Sequence, residues 1–347
     1  MKTRDVHVNI ADIKPIGSAG FGMPLILVGG QDSNIAYAEC SDIDEVVAKG
    51  FEKNSDVYNA ATLIFQQDNK PETIAVMATE KKVVEVLPEI KNKEWRQLIT
   101  PNADTSELGD IAKYIEQTTD KIYFASYSIQ NATAMEDGAF ETAVTSALES
   151  VKGLSRTVMF YYDNSDVKTP EAALVGETAG RVPGSFTYKF KTLKGLTPVA
   201  LSDAKIKVIE KANSFTYVEA AGDYITSEGK TVGGEYIDVI DGKDWVLQNI
   251  AYHVQKLKNT TAKLGYSNSD ITKIENATIG VLEEAFGMGI IAPKADNEES
   301  GDYSTSFKTR NEMSEEKRAK RTYDGGTFTF ALAGAIHETT INGTVSI

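Results

Sequence analysis

The sequence is poor in the residues that site chemistry most often uses. Among its 347 residues there is one cysteine, Cys40, so no disulfide can close within the chain and no CxxC metal site exists. Three histidines, His7, His253 and His337, are scattered without ligand spacing and read as structural or exposed imidazoles. Basic residues are in deficit: 36 Lys and Arg stand against 50 Asp and Glu, a formal net charge of −14. That argues against non-specific nucleic-acid binding, which needs a basic surface, and for an acidic, soluble one. No apolar run approaches the ~18 residues of a membrane span. The opening M-K-T-R-D-V has no apolar signal region, so the expectation is a protein assembled in a cytoplasm without membrane insertion. HExxH, GxSxG and Walker loops are missing, and no nucleophile–base pair stands out. Glu298-Glu299 and Glu315-Glu316 are charge runs that read as solvated faces. No catalytic, cofactor-binding or metal-binding residue is nominated; an enzyme with a triad built from distant residues stays an alternative.

What is present is an ordinary globular composition, 41% hydrophobic and 25% charged, in a chain long enough for about two domains. The stretch Thr327–Ile347 organises the reading. Phe328, Phe330, Leu332 and Ile336 occupy every second position, the period of a half-buried strand. The phase then flips, and Ile341, Val345 and Ile347 continue on odd numbers, which predicts a bend between two strands. An apolar end is either the closing strand of its own sheet or an arm on a neighbour's sheet edge. Val6, Val8 and Ile10 alternate in the same way at the other end. Between that strand and the first core run lies G-S-A-G-F-G. Its spacing is GxxGxG and it precedes a strand, Pro24–Val28, rather than a helix, so Gly17, Gly20 and Gly22 read as an elbow, not a nucleotide loop.

Strand and helix patterns alternate from there, the signature of an α/β layer. Strands are expected at 25–28, 34–39, 73–78, 121–127 and 157–162. Helices are expected from Ser41, from Ser55, at 105–117, at 140–154 and at 170–176. Phe186, Tyr188 and Phe190 alternate with Thr187, Lys189 and Lys191, predicting a two-faced strand in the linker between domains. A helix from Ser202, a strand at 215–219 and a hairpin across Glu228-Gly229 follow. Helices then start at Asp241 or Asp244 and at Ser269, and 292–306 reads as a polar loop. Thr309 and Glu312 form a capping box for a helix over 309–321. Its glutamates stand first, and Lys317, Arg318, Lys320 and Arg321 stand last, which complements the helix dipole. With Met313 and Ala319 its only apolar residues, it reads as a solvated helix or one laid on a charged partner. Gly325 and Gly326 turn the chain into the terminal strands.

Several stretches together resemble a contractile tail sheath protein of a bacteriophage, an R-type bacteriocin or another phage tail-like particle. They are V-H-V-N-I with G-F-G-M-P-L-I-L-V-G, the block Asp42–Gln67, and A-A-L-V-G with P-G-S-F-T-Y-K-F-K-T-L-K-G-L-T-P. D-W-V, E-E-A-F-G-M-G-I-I-A-P and A-L-A-G-A-I-H-E-T-T-I-N-G-T-V-S-I complete the set. One departure is size, because many sheaths carry large extra outer domains and this chain has room for one at most. The resemblance implies a two-domain α/β (α+β) fold with mixed sheets flanked by helices and extended terminal β-arms. It implies an N-terminal arm over 1–20, an outer domain over 21–198, an inner domain over 199–326 and C-terminal strands over 327–347. Subunits would form hexameric rings stacked helically around a tail tube, with baseplate and terminator proteins at the ends, in a tail built in the host bacterial cytoplasm. Val6, Val8, Ile10, Ile336, Ile341, Val345 and Ile347 would lie in the arms that pair with neighbouring copies. Lys317, Arg318, Lys320 and Arg321 would face the tube, the five glycines named above would be hinges, and no cofactor would be needed. Another virion structural protein remains the competing reading beside the enzyme.

Overall fold

The computed structural model describes residues 21, 23–32 and 34–343. Val6, Val8, Ile10, Gly17, Gly20, Gly22, Val345 and Ile347 lie outside them.

The first layer is a six-stranded sheet in the order β2-β3-β1-β4-β5-β6. The strands are β1 (Pro24–Val28), β2 (Ile35–Cys40), β3 (Ile74–Ala78), β4 (Gln97–Ile99), β5 (Ile122–Tyr127) and β6 (Thr157–Tyr161). All neighbours run parallel except β2, which lies antiparallel on the β3 edge. Parallel strands need covering on both faces, and P-L-I-L-V of β1 is buried at every residue. The crossovers carry α1 (Ile43–Ala48), α2 (Asp56–Phe65), α3 (Val83–Ile90), α4 (Thr105–Glu116) and α5 (Asp137–Leu148), followed by α6 (Glu171–Ala179). β3 lies between β1 and β2, because the two-helix connection returns the chain beside β1. The polar piece at 80–94 hides α3, whose Val83, Val86, Leu87 and Ile90 are buried on one face. Helix α6 runs past Gly176, where the chain packs directly on the Ile64 backbone.

The stretch 183–198 is not a strand. It is a series of turns whose Tyr188, Leu193 and Leu196 enter the first core, while Phe190 is left half exposed at φ 64°. Within it Phe186 and Tyr188 lie against each other, ring centroids 5.2 Å apart. Helix α7 (Asp203–Lys211), capped by Ser202, and a hairpin of β7 (Tyr217–Ala220) and β8 (Asp223–Thr226) pack on the same core. The hairpin turns at Ala221-Gly222, both at positive φ, rather than at Glu228-Gly229.

A second core forms around α8 (Ile237–Thr260) and α9 (Asn268–Gly287). The 292–306 segment, too polar to show an apolar alternation, is strand: β9 (Pro293–Lys294), β10 (Asn297–Gly301) and β11 (Tyr303–Phe307). β11 pairs antiparallel with β12 (Gly326–Phe330), and Tyr303, Phe328, Phe330 and Leu332 pack on the second core. Helix α8 threads both cores: Ile237 and Ile240 belong to the first, Trp245, Val246 and Ile250 to the second. Among the described residues no helix is long and apolar enough to cross a membrane.

Candidate functional site

Asp241 and Asp244 are not the N-cap of a helix. They sit inside α8, buried, where the helix passes from one core to the other. Arg96, at the start of β4, donates to Asp241 through Nε at 3.1 Å and also through its Nη2. Its Nη1 reaches Asp244 at 2.8 Å. Arg156 clamps Asp244 with two bonds of 2.9 Å, and the Tyr188 hydroxyl donates to Asp241 at 2.9 Å. The four charges sum to zero, and the fork geometry of arginine meets both carboxylates. Burial alone would lower the Arg96 pKa, but Asp241 and Asp244 overcome it and hold the guanidinium ionised. Burial pushes Asp241 up, and Arg96 and Tyr188 pull it back. Phe21 lies under the Arg96 guanidinium, 4.6 Å away, so the root of the N-terminal segment rests on the same cluster. Close approach is built in beside it: an added Cβ on Gly184, at φ +78°, would lie 2.5 Å from the Gly242 Cα. Sequence reading missed this cluster; its only trace is two aspartates three apart in an otherwise amphipathic run.

The C-terminal ribbon has a different character. Among the described residues, β11 and β12 hydrogen-bond as strands only to each other, so each has an outer edge open to a further strand. One face packs on the second core, and Thr305 also bonds Glu275 of α9 at 2.9 Å. After Phe330 the chain makes a bridge from Leu332 to Ile291 and then leaves regular structure. Among the described residues no second strand follows: Ile336 is 81% exposed and Ile341 88% exposed. A one-sided apolar alternation that finds no sheet of its own is left facing solvent.

Between β11 and β12 the chain makes the charged excursion 308–325. The capping box forms, with Glu312 accepting from the Thr309 amide at 2.7 Å, but the helix breaks. A short 3-10 turn at Arg310–Glu312 is followed by α10 (Glu315–Ala319), because Met313 is extended and buried and Ser314 caps anew. Three of the four nominated cations are engaged internally. Lys317 pairs with Asp324 at 2.6 Å, Lys320 pairs with Glu316, and Arg318 donates to the carbonyls of Arg310 and Met313. The Arg321 guanidinium has no hydrogen bond or ion pair with the described residues, and its backbone is left-handed at φ 58°. Gly325 and Gly326 have no positive φ. They permit packing, since a Cβ would lie 2.8 Å from the Met313 sulfur at Gly325 and 2.6 Å from the Phe307 ring at Gly326.

Strand order reverses between β1 and β4, the place where open α/β sheets hold ligands. There Asn102 donates to the Gly29 carbonyl at 2.8 Å and draws the two strand ends together. A buried carboxyl, Glu171, opens α6. Burial pushes its pKa up to about 7, a Ser126 hydrogen bond opposes this, and its Oε2 finds no partner. No cluster of metal-ligating side chains occurs among the described residues.

No family model matches the chain, and no curated protein matches it by sequence. Solved structures do. Over 100% of both chains it is similar, at 15% identity and TM-score 0.70, to a chain in the structure of the anti-feeding prophage (AFP) baseplate, 6-fold symmetrised. It is similar at 11% identity and TM-score 0.72 to a chain of the PVC sheath complex of an extracellular contractile injection system in the contracted state, covering 100% of this chain and 99% of that one. A sheath tail protein from Listeria innocua is similar over 92% of this chain and 97% of its own, at 8% identity and TM-score 0.54. The chain therefore has the mixed α/β fold found in sheath and baseplate structures of contractile injection systems.

Proposed function

We propose that this chain is a structural subunit of a contractile tail sheath. It polymerises as hexameric rings stacked helically around a tail tube, meets baseplate and terminator proteins at the ends, and shortens to drive the tube through a cell envelope. Segment 1–20 and the part of 327–347 that lies beyond β12 act as arms that add strands to neighbouring copies. The observation that carries this reading is the full-length agreement of fold with a chain of a contracted sheath complex, end to end in both proteins. The open edges of the β11–β12 ribbon and the exposed Ile336 and Ile341 support it, because strand addition needs an edge to accept and an apolar strand to give. The agreement with a chain of a six-fold symmetrised baseplate favours six-fold rings and keeps a place next to the baseplate as a second reading. The energy of contraction is stored at assembly, so the chain does its work without catalysis or a cofactor. Residues 21–198 belong to the outer part and 199–326 supply the inner part, with α7, the β7–β8 hairpin and the start of α8 packed on the outer core and 309–321 facing the tube.

Negative-stain electron microscopy of the purified full-length protein, alone and with a candidate tail-tube protein, tests the reading. Hollow tubes of stacked rings are expected. A monodisperse monomer under both conditions would overturn it.

A further inference from the structure

The segment 333–343 lies almost entirely on the surface, with one exception: the His337 side chain is only 9% exposed. Its ring stands between two aromatic edges, Tyr236 with centroids at 4.9 Å and Phe190 at 6.0 Å, both near perpendicular. Nε2 lies 2.8 Å from the Thr187 hydroxyl, and Nδ1 lies 2.8 Å from Glu228 Oε1. The approach at Nδ1 lacks hydrogen-bond geometry, so Thr187 supplies the hydrogen bond that the ring forms. Phe190 accepts a left-handed backbone to reach this position, a conformation unfavourable for a bulky residue. Thr187, Phe190, Glu228 and Tyr236 come from the turns after α6 and from the loop that opens α8. A socket drawn from two separate stretches receives one side chain from a third.

We propose that His337 is the anchor that holds the C-terminal segment to its own subunit and presents Ile336 and Ile341 to a second copy of this chain. This rests on the sheath reading above. The six described residues 338–343 would span about 20 Å when extended, comparable to the radius of gyration of about 20 Å for a globule of this length. From a fixed root that length carries the segment out to a touching neighbour. Without the anchor its root retreats to Leu332 and its direction is lost. Glu228 lies against the imidazole, and Lys189 at 3.9 Å and Lys230 at 4.0 Å from its carboxylate offset part of its charge. Thr187 serves either tautomer of the ring because its hydroxyl can donate or accept.

Limited proteolysis after Glu338 by a glutamate-specific protease, in the full-length protein, tests the anchor, with assembly followed in parallel by electron microscopy. His337→Ala should be cut there about tenfold faster or more, and Glu228→Gln should be cut faster to a lesser degree. Both variants should keep wild-type hydrogen exchange in β1 and α8, which separates loss of the anchor from misfolding. Unchanged cleavage in His337→Ala would overturn the anchor. Well-ordered tubes from His337→Ala that is cut faster would overturn its role in presenting the arm. Failure of wild type to form tubes with or without tube protein would instead count against the sheath reading, whatever the cleavage data show.

Discussion

Replacing Asp244 by Asn keeps the shape of the cluster on α8 and removes one of its two negative charges. Three short bonds from Arg96 and Arg156 lose their ionic partner, in a position about 1% exposed. One surplus positive charge is then left in a buried site. Breaking a buried pair from one side costs about 3–5 kcal/mol, mostly because the abandoned partner stays desolvated. At roughly 2 °C per kcal/mol for a chain of this size, the midpoint should fall by about 6–10 °C. The two tryptophans make the effect separable, since Trp95 lies in the first core and Trp245 in the second, one residue from the substitution. Urea and thermal unfolding of Trp95→Phe and Trp245→Phe backgrounds would read each core alone. The variant should split a shared transition, because α8 is the element that carries one core into the other. Adding Arg156→Met removes the surplus charge and should restore part of the loss. A cost below about 1 kcal/mol, or an additive loss on adding Arg156→Met, would refute the claim that the node holds the two cores together.

Glu171→Gln should change the pH dependence of stability. The carboxyl is held up to about 7 in the folded chain against an ordinary 4.5, so the unfolded state releases its proton first and stability falls as pH rises through that window. The loss is about 3 kcal/mol above pH 7, complete once both states are ionised, and urea titrations at about pH 5 and about pH 8 should show a fall larger in wild type than in the variant by about that amount, the variant keeping the part due to Asp238, which burial holds up to about 6. Deleting Thr340–Ile347 should leave thermal stability within about 1 kcal/mol, because Ile341 buries almost nothing, yet abolish polymerisation in the electron microscope. Wild-type-like tubes from the truncation would sink the arm.

The α/β alternation was legible because buried parallel strands are short continuous apolar runs and their helices carry caps such as Ser55 and Asp104. Errors fell where the apolar period is set by something other than a regular element. The alternation of Phe186, Tyr188 and Phe190 has a strand's period but no strand: Phe186 and Tyr188 lie against each other, ring centroids 5.2 Å apart, and Phe190 takes a left-handed backbone that no pattern announces. Asn297–Gly301 is strand with almost no apolar residue, held by backbone pairing alone. Asp241 and Asp244 read as helix caps because short acidic residues favour helix starts. Their true partners, Arg96 and Arg156, lie 145 and 88 residues away in sequence. Of the candidate site, the strand-like alternation through Ile336 and Ile341 was readable, as a closing strand or as an arm, whereas the socket for His337 depends on three distant stretches meeting.

The charged excursion between β11 and β12 shows how the structure narrows a sequence argument. On charge alone, reversal of Lys317, Arg318, Lys320 and Arg321 together should weaken attachment to a tube and spare the fold. The geometry divides the four. Arg318 Nη1 fastens the 3-10 turn to α10 through the Arg310 carbonyl at 2.9 Å and the Met313 carbonyl, above a buried Met313. Arg318→Glu would place a carboxylate against two carbonyl oxygens and should loosen the excursion by about 1–3 kcal/mol, seen as faster amide exchange over 310–320. Arg321→Glu breaks no bond within the described chain and should leave exchange unchanged while reducing co-sedimentation with a tube. Lys317 and Lys320 neutralise Asp324 and Glu316, so their reversal should act mainly by freeing those acids. If the excursion faces an acidic tube surface, Arg321 is the cation available for it without rearrangement. Co-sedimentation that is lost with Arg318→Glu but untouched by Arg321→Glu would mean that the shape of the excursion, rather than its charge, makes the contact.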